Sequence, residues 1–492
     1  MASTPTTRWQ VSGYRFLVRR MEHALVRRDV RMLHDPMRSQ SRALVVGVVA
    51  ASVGLAGCGV LALFKPQDKI GDASIVVGKE SGAMYVAHQD TLRPVLNLAS
   101  ARLILGQADD AAVVSDSEIE SRPRGALVGI PGAPSSLPEG GDSPWTVCDT
   151  VSGSGAGSVS STSVLVGQPT LGSGDRMLAG SQSFLVENRG VSYLVHDGKK
   201  ARIDMNDSVV TRALGIEGHE PRAVSTGLLN ALPESAPIVP PQVPDRGEHP
   251  EFGQFGDRKI GSVVQSSDGQ GTQYYVILRD GIQNIDRAAA LILMNTASYG
   301  EETIPSVTPD ATARAPQASQ QLALDSFPSE LPEIVDAKDS PVGCLSWKPL
   351  EKSESENADA AEVSLVAARS LPIGTDAHTV DLAQQDGAGD NADNVWVAPG
   401  SSGFVQSTGI EPNSTRRAAT FFVADTGVRY GISDENQGEA RKALGAPDSP
   451  ALAPWPILDL LAPGPYLSKS AAERAHDGMS LDLDSVGMAS GG

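Results

Sequence analysis

Two lysines stand next to glycines in a way that invites phosphate chemistry: Gly78-Lys79-Glu80 and Gly198-Lys199-Lys200. A phosphate-cradling loop needs an upstream glycine so that backbone N–H groups converge, and a Ser or Thr after the lysine to meet Mg²⁺. Neither tripeptide has either feature, so a nucleotide site stays unassigned. No Gly-x-Ser-x-Gly elbow presents a nucleophilic serine. His23, His34, His88, His196, His219, His249, His378 and His476 never fall at zinc-ligand spacing. The acidic run Asp386 to Asn394 could draw Ca²⁺ to its carboxylates. It lacks the alternating oxygens and distal glutamate of an EF-hand, and reads as a solvated acidic loop. The expectation is therefore no catalytic residue, no metal and no cofactor.

With no chemistry to position, the chain's organisation becomes the informative feature. It has 492 residues and a formal charge of −19. Residues 1–42 hold nine arginines, no lysine and three acidic residues, a local charge of +6, which leaves −25 on the remainder. An acidic body of that size repels phosphate backbones and excludes a general nucleic-acid binder. The break coincides with Ala43 to Phe64, 22 residues without a charge. As a helix this segment spans about 33 Å, enough to cross a hydrocarbon core. The positive-inside rule predicts a single-pass chain with its N-terminus in the cytoplasm and its acidic bulk outside. Leu55-Ala56-Gly57-Cys58 offers an alternative as a lipoprotein cleavage signal. Against it stand the long leader and the apolar run Val60 to Phe64 beyond Cys58.

Cys148 and Cys344 both lie on the outer side, in matching contexts. Leu137-Pro138-Glu139 leads to Ser143-Pro144 and Cys148; Leu331-Pro332-Glu333 leads to Ser340-Pro341 and Cys344. Outside the reducing cytoplasm such a pair is expected to be a disulfide, the alternative being two unpaired buried thiols. The matching contexts suggest duplication. Short strands around Gly or Asp-Gly turns recur at Ser74–Val86, Ser183–Val195, Gln273–Ile282 and Thr420–Ile432. Ala213-Leu214-Gly215 and Ala443-Leu444-Gly445 mark similar continuations.

These patterns predict an α+β fold: one transmembrane helix, then an elongated ectodomain of four small repeat modules around a central β-rich, disulfide-linked core with pseudo-twofold symmetry. The expected division is a basic segment over 1–42, the membrane helix over 43–64, and repeat modules over 65–110, 181–250, 251–305 and 416–470. Residues 111–180 and 306–415 form the two halves of the core, and 471–492 a disordered tail. Residues 152–163 and 351–360 read as flexible linkers, and Pro233 to Pro250 as an extended connector.

Several longer motifs are familiar in this order. They are Arg8-Trp9-Gln10-Val11-Ser12-Gly13-Tyr14-Arg15-Phe16, Arg31-Met32-Leu33-His34-Asp35-Pro36, Asn97-Leu98-Ala99-Ser100-Ala101-Arg102-Leu103, Gly129-Ile130-Pro131-Gly132-Ala133-Pro134 and Trp145-Thr146-Val147-Cys148-Asp149. Together they closely resemble EccB, a membrane component of the ESX (type VII) secretion systems of mycobacteria and related actinobacteria. The resemblance implies a structural subunit of the cell inner membrane with a periplasmic domain that dimerises. Its implied partners are the FtsK-like motor EccC, EccD, EccE and the mycosin protease. It also carries a family label of ATP-binding hydrolase, which the residues do not support and which ATP's scarcity outside the cytoplasm opposes. A free-standing cell-wall-binding protein is the remaining alternative.

The N-terminal segment suits a docking role. Tyr14, Leu17, Val18, Met21, Leu25 and Met32 recur near helical spacing, with Arg15, Arg19, Arg20, Arg27, Arg28 and Arg31 around them. Such a helix can lie on anionic headgroups or dock on a partner, whereas arginines that only set topology would need neither.

Overall fold

The computed structural model describes residues 7–31, 36–64, 70–88, 91–153, 157–269, 271–350 and 361–478. It divides into two units, residues 1–71 and residues 72–492. In the first, α1 (Arg8–Arg27) opens on a capping box in which Thr7 and Gln10 satisfy each other's backbone N–H. The second helix, α2 (Pro36–Phe64), begins seven residues before the predicted span, because nothing in Pro36–Arg42 breaks a helix. Its stretch Ser39–Val60 is long and apolar enough to cross a membrane.

The second unit contains four sheets that share one strand order. In the first, β1 (Ile75–Gly78), β2 (Met84–His88) and β3 (Thr91–Pro94) form an antiparallel meander. Helix α3 (Leu98–Leu105) then returns the chain as β4 (Ala111–Val114), parallel to β1. After α4 (Asp116–Glu120) the chain bridges β3 in parallel and reaches β5 (Leu127–Val128). The central strands β6 (Trp145–Ser152), β7 (Ser158–Val166) and β8 (Arg176–Met177) follow.

A second meander comprises β9 (Gln182–Asn188), β10 (Val191–His196) and β11 (Lys199–Ile203). Helix α5 (Ser208–Ala213) leads to β12 (Arg222–Ala223), parallel to β9; α6 (Thr226–Ala231) leads to β13 (Glu234–Ile238), parallel to β11. The proline-rich stretch from Pro233 is thus partly a strand. The third meander, β14 (Val263–Asp268), β15 (Gly271–Ile277) and β16 (Ile282–Ile285), continues through α7 (Arg287–Thr296) to β17 (Ser306–Val307). Again the fourth strand is parallel to the first, and after α8 (Pro309–Arg314) the chain bridges the third.

Next come β18 (Glu333–Ile334), β19 (Val342–Pro349), β20 (Ala361–Ala368), β21 (Val380–Asp381) and β22 (Asn394–Val397). The last meander is β23 (Gly403–Thr408), β24 (Thr420–Val423) and β25 (Val428–Gly431), followed by α9 (Glu435–Leu444) and β26 (Ala451–Pro454), parallel to β23. Then α10 (Trp455–Leu458) leads to β27 (Ala462–Pro463), parallel to β25. The described chain closes with α11 (Lys469–Ala472) and β28 (Ala475–His476).

A seven-stranded central sheet has the order β21-β22-β7-β6-β19-β20-β8. At its middle, antiparallel β6 and β19 set Trp145 opposite Trp347 and Cys148 opposite Cys344. The two cysteines form a disulfide with Cα atoms 4.0 Å apart. The sheet's two sides differ. The tryptophans pack into a large core with the second and fourth meanders, and the cysteines into a smaller cluster with Leu165, Val342 and Val366. Peripheral cores are shared crosswise. Leu103 of α3 packs with Phe404, Phe422 and Leu444 of the fourth meander. Leu185 and Leu194 of the second pack with Val263 and Ile292 of the third.

Two sequence expectations fail here. Residues 158–163, expected to be part of a flexible linker, lie in β7, an inner strand of the central sheet. Ser158 and Ser160 are exposed, but the strand turns inward after them: Thr162 and Ser163 are buried, and Thr162 is hydrogen-bonded to Asp149. The expected tail is ordered over its first residues, where α11 forms and β28 pairs with β5. The predicted linker at 351–360 and the tail beyond 478 lie outside the described residues.

Candidate functional site

The motif around Asn97 is a clasp. Asn97 caps α3: its Oδ1 accepts from Ser100 N (3.0 Å) and Ser100 Oγ (2.6 Å), and its Nδ2 donates to Ile130 O (2.8 Å). Ser100 Oγ in turn accepts from Ile130 N at 2.8 Å. Asn97 and Ser100 are buried, so each supplies a hydrogen bond that the Gly129–Ile130 loop would otherwise lack. Gly129 has φ 132°, and a methyl group at this position would crowd Leu96 at 3.1 Å, which accounts for glycine there. His476 Nε2 lies 2.8 Å from Gly129 O, closing the clasp from the far end of the chain.

A second polar centre lies beside the disulfide. Asp149, one residue after Cys148, is buried and accepts from Ser225 N (2.6 Å), Ser225 Oγ (2.8 Å) and Thr162 Oγ1 (2.8 Å). Burial pushes its pKa up to about 6 against these donors and the nearby Arg222. Arg222 is also buried. It donates to Ser340 O (3.1 Å) and Pro341 O (2.9 Å), and its guanidinium lies 4.9 Å from the Phe184 ring centroid. Loss of solvation lowers its pKa to about 10, leaving it charged at neutral pH. A cavity of about 20 Å³ borders Arg222, Phe184 and Cys344. This centre ties β6 and β19 to the second meander and is too small to admit a metabolite.

The acidic run is solvated at Asp386, Ala388 and Asp390, as its composition implied, but its end turns inward. Asp393 is buried; its Oδ2 accepts from Thr162 N (2.6 Å), and its Oδ1 from Asp386 N and Gly387 N (both 2.8 Å). Asp386 Oδ2 accepts from Asp390 N and from Asn391 N and Nδ2. The loop thus uses these carboxylates to satisfy its own backbone. Among the described residues, no group of three or more His, Cys, Asp or Glu side chains is placed to hold a metal.

The glycine–lysine tripeptides also serve the fold. Gly78 ends β1, where a methyl group would meet Asp116 Oδ1 at 2.0 Å, and Lys79 N donates to Val114 O. Asp197 and Gly198 take φ values of 48° and 69° in the hairpin turn between β10 and β11. Lys200 Nζ donates to Leu229 O at 2.6 Å, and burial lowers its pKa.

The predicted arginines occupy one end of the chain. Arg15, Arg19, Arg20 and Arg27 lie on α1; Arg28 is its left-handed C-cap, and Arg31 lies beyond, where its N–H donates to Asp29 Oδ1. Arg20 Nε donates to Val30 O (3.2 Å), folding the segment after α1 back along the helix. Trp9, Tyr14, Leu17, Met21 and Leu25 are exposed on α1, as is Cys58 on α2.

Comparison with known proteins decides the family. The family described as type VII secretion system ESX-1, transport TM domain B, matches residues 3–481. The chain belongs to this EccB family. It is 40% identical to the ESX-3 secretion system ATPase EccB3 of Mycolicibacterium smegmatis, over 98% of this chain and 93% of that protein. It is 36% identical to the ESX-1 secretion system ATPase EccB1 of Mycobacterium tuberculosis, over 97% and 96% of the two chains. Among solved structures, a chain of an intact ESX-5 inner membrane complex superposes with a TM-score of 0.74 at 34% identity, covering 99% of both chains. A chain of the EccB3 dimer from the ESX-3 core complex gives 0.70 at 34% identity, covering 82% of this chain and all of that one. EccB proteins of this kind are structural membrane subunits of the ESX secretion complex. The Asn97, Gly129 and Trp145 motifs by which the family is recognised are thus parts of clasps and strands.

Proposed function

We propose that this EccB chain is a single-pass bracket of an ESX inner-membrane complex, with α1 in the cytoplasm, α2 across the membrane and the acidic unit in the periplasm. The observation that carries the reading is the superposition with a chain of the intact ESX-5 inner membrane complex over 99% of both chains. The charge split across α2 supports the orientation. Its partners are the FtsK-like motor EccC, EccD, EccE and the mycosin protease, with a second copy engaged through the periplasmic unit; the similar EccB3 chain comes from a dimer, which supports the second copy. In this arrangement Arg15, Arg19, Arg20, Arg27, Arg28 and Arg31 both fix topology and dock the arm on its neighbours.

The four meanders act as repeat modules around the central sheet. Two halves are related by a pseudo-twofold axis through the Cys148–Cys344 bond. Support comes from the common strand order, from the register that sets the two cysteines opposite each other, and from the crosswise cores. The relatives' ATPase names find no support in the residue pattern: neither Gly78-Lys79 nor Gly198-Lys199 has the upstream glycine or the following hydroxyl of a phosphate loop, and Lys200 Nζ donates to Leu229 O. The reading is tested by affinity purification of the chain from detergent-solubilised membranes. Recovery of an FtsK-like motor, lost when residues 1–42 are removed, supports it; a chain that purifies alone overturns it. ATP turnover by the purified chain above a contaminant-free control would restore the enzymatic alternative.

A further inference from the structure

Three of the four meander sheets shield or shorten the strand added parallel to their first. β12 has two residues, with Arg222 buried beside the central sheet; β17 has two; β26 ends in Pro454 and leads directly into α10. β4 differs. It has four residues, Ala111-Ala112-Val113-Val114, and among the described residues pairs only with β1. Lys79 N donates to Val114 O, which turns the backbone groups of Val114 toward β1. By strand alternation those of Ala112 point the same way, and those of Ala111 and Val113 point outward. Among the described residues no hydrogen bond is made to that outer edge. Ala111 is exposed and Val113 is 60% exposed, so the edge carries apolar side chains and no lysine, proline or bulge to discourage pairing.

The strand is rigidly held at both ends. Before it, Arg102 Nε donates to Asp109 O (3.1 Å) and Arg102 Nη2 to Asp110 Oδ1 (3.2 Å). After it, Asp116 accepts from Ser81 N and Ser81 Oγ, both at 2.8 Å, and hydrogen bonding to Ser81 holds its pKa below the usual carboxylate value. A pre-ordered edge loses little entropy when another strand adds to it. The flanks then decide what can add. Asp109 and Asp110 stand at one end and Asp116 and Glu118 just past the other. Antiparallel pairing of two β4 copies would set these acidic ends against each other, and like charges across a sheet oppose pairing. An extended segment with Lys or Arg at each end is attracted at both.

We propose that the outer edge of β4 is a strand-addition site for an extended, alternately apolar segment of a partner protein flanked by basic residues. The probe is a synthetic Lys-Thr-Val-Thr-Val-Thr-Lys peptide, added to the full chain in detergent and compared with the same peptide carrying Asp at both ends. Binding is read by fluorescence anisotropy, and backbone protection by hydrogen exchange over residues 109–115. The expected result is at least tenfold tighter binding of the Lys-flanked peptide, with new protection at Ala111 and Val113. Val113→Lys, at an exposed side chain, should weaken binding at least fivefold with unchanged thermal unfolding. Val113→Thr should retain it. Equal affinity for the two peptides, protection elsewhere only, or indifference to Val113→Lys would overturn the proposal. So would concentration-dependent protection of the edge without peptide, which would make a second copy its occupant.

Discussion

Gly343 lies directly beneath the guanidinium of Arg222: a methyl group at 343 would stand 3.0 Å from its central carbon and 3.1 Å from Nη2. Two carbonyls and the Phe184 ring hold that guanidinium, so it cannot yield freely. Gly343→Ala should therefore cost about 1–2 kcal/mol in overpacking. Arg222→Ala alone should cost about 2–4 kcal/mol, because it strands the carbonyls of Ser340 and Pro341. In the double variant the alanine at 343 has nothing to strike, and the two costs should fall short of their sum. Chemical denaturation of the four proteins measures this coupling.

Removing the covalent link is the second case. Cys148 and Cys344 close a separation of 196 residues, for which loop-closure entropy gives roughly 5 kcal/mol, an upper figure for real proteins. Cys148→Ala with Cys344→Ala should lower the unfolding midpoint by an amount matching about 2–5 kcal/mol. A reductant should destabilise the parent to a similar extent and leave the double variant unchanged.

The buried carboxyl of Asp149 predicts a pH dependence of definite sign. Its folded pKa of about 6 lies above the ordinary aspartate value of 3.8, so the folded state binds the proton more tightly than the unfolded one. This contribution is present in full below about pH 4 and is lost as pH rises through about 6. Its size is at most about 3 kcal/mol. In Asp149→Asn the stability profile should lose that fall between pH 4 and 6, while the opposite slope from carboxyls of lowered pKa such as Asp280, which sets in below about pH 4, persists. Urea titrations across that range give the difference.

Within α9 the backbone leaves the right-handed region at Asn436, Gln437 and Gly438, with φ of 52°, 62° and 77°. Asparagine tolerates this conformation and glycine favours it, but glutamine does neither. Gln437→Gly should raise stability by about 1 kcal/mol, visible as a thermal midpoint about one degree higher in a unit of this size. No change or a fall would mean that the Gln437 side chain contributes more than its backbone costs.

What could be read in advance follows a simple division. Local signals were legible: Asp-Gly and Gly turns located the hairpins, and glycines after Leu105, Leu214 and Leu444 take positive φ where helices α3, α5 and α9 end. The duplicated cysteine contexts led to the disulfide. Long-range compensation was not legible. Ser158 to Ser163 looks like linker until Asp149 and Asp393, 13 and 231 positions from Thr162, supply partners for its backbone and hydroxyl. A lone aspartate inside the apolar strand Trp145–Val151 was the available clue to that network, because a buried carboxylate demands donors. Nothing near Ala475 indicated that it would pair with Val128.

The crosswise cores have a consequence for biogenesis. Leu103 completes its surroundings only with Phe404, Phe422, Leu444 and Leu467, which are synthesised some three hundred residues later. A nascent chain therefore holds its earliest sheet unfinished until nearly all of it has been synthesised. A premature stop near position 400 would strip packing from the segment from 75 to 114, far from the lesion, as well as from the central core, and open both to proteases.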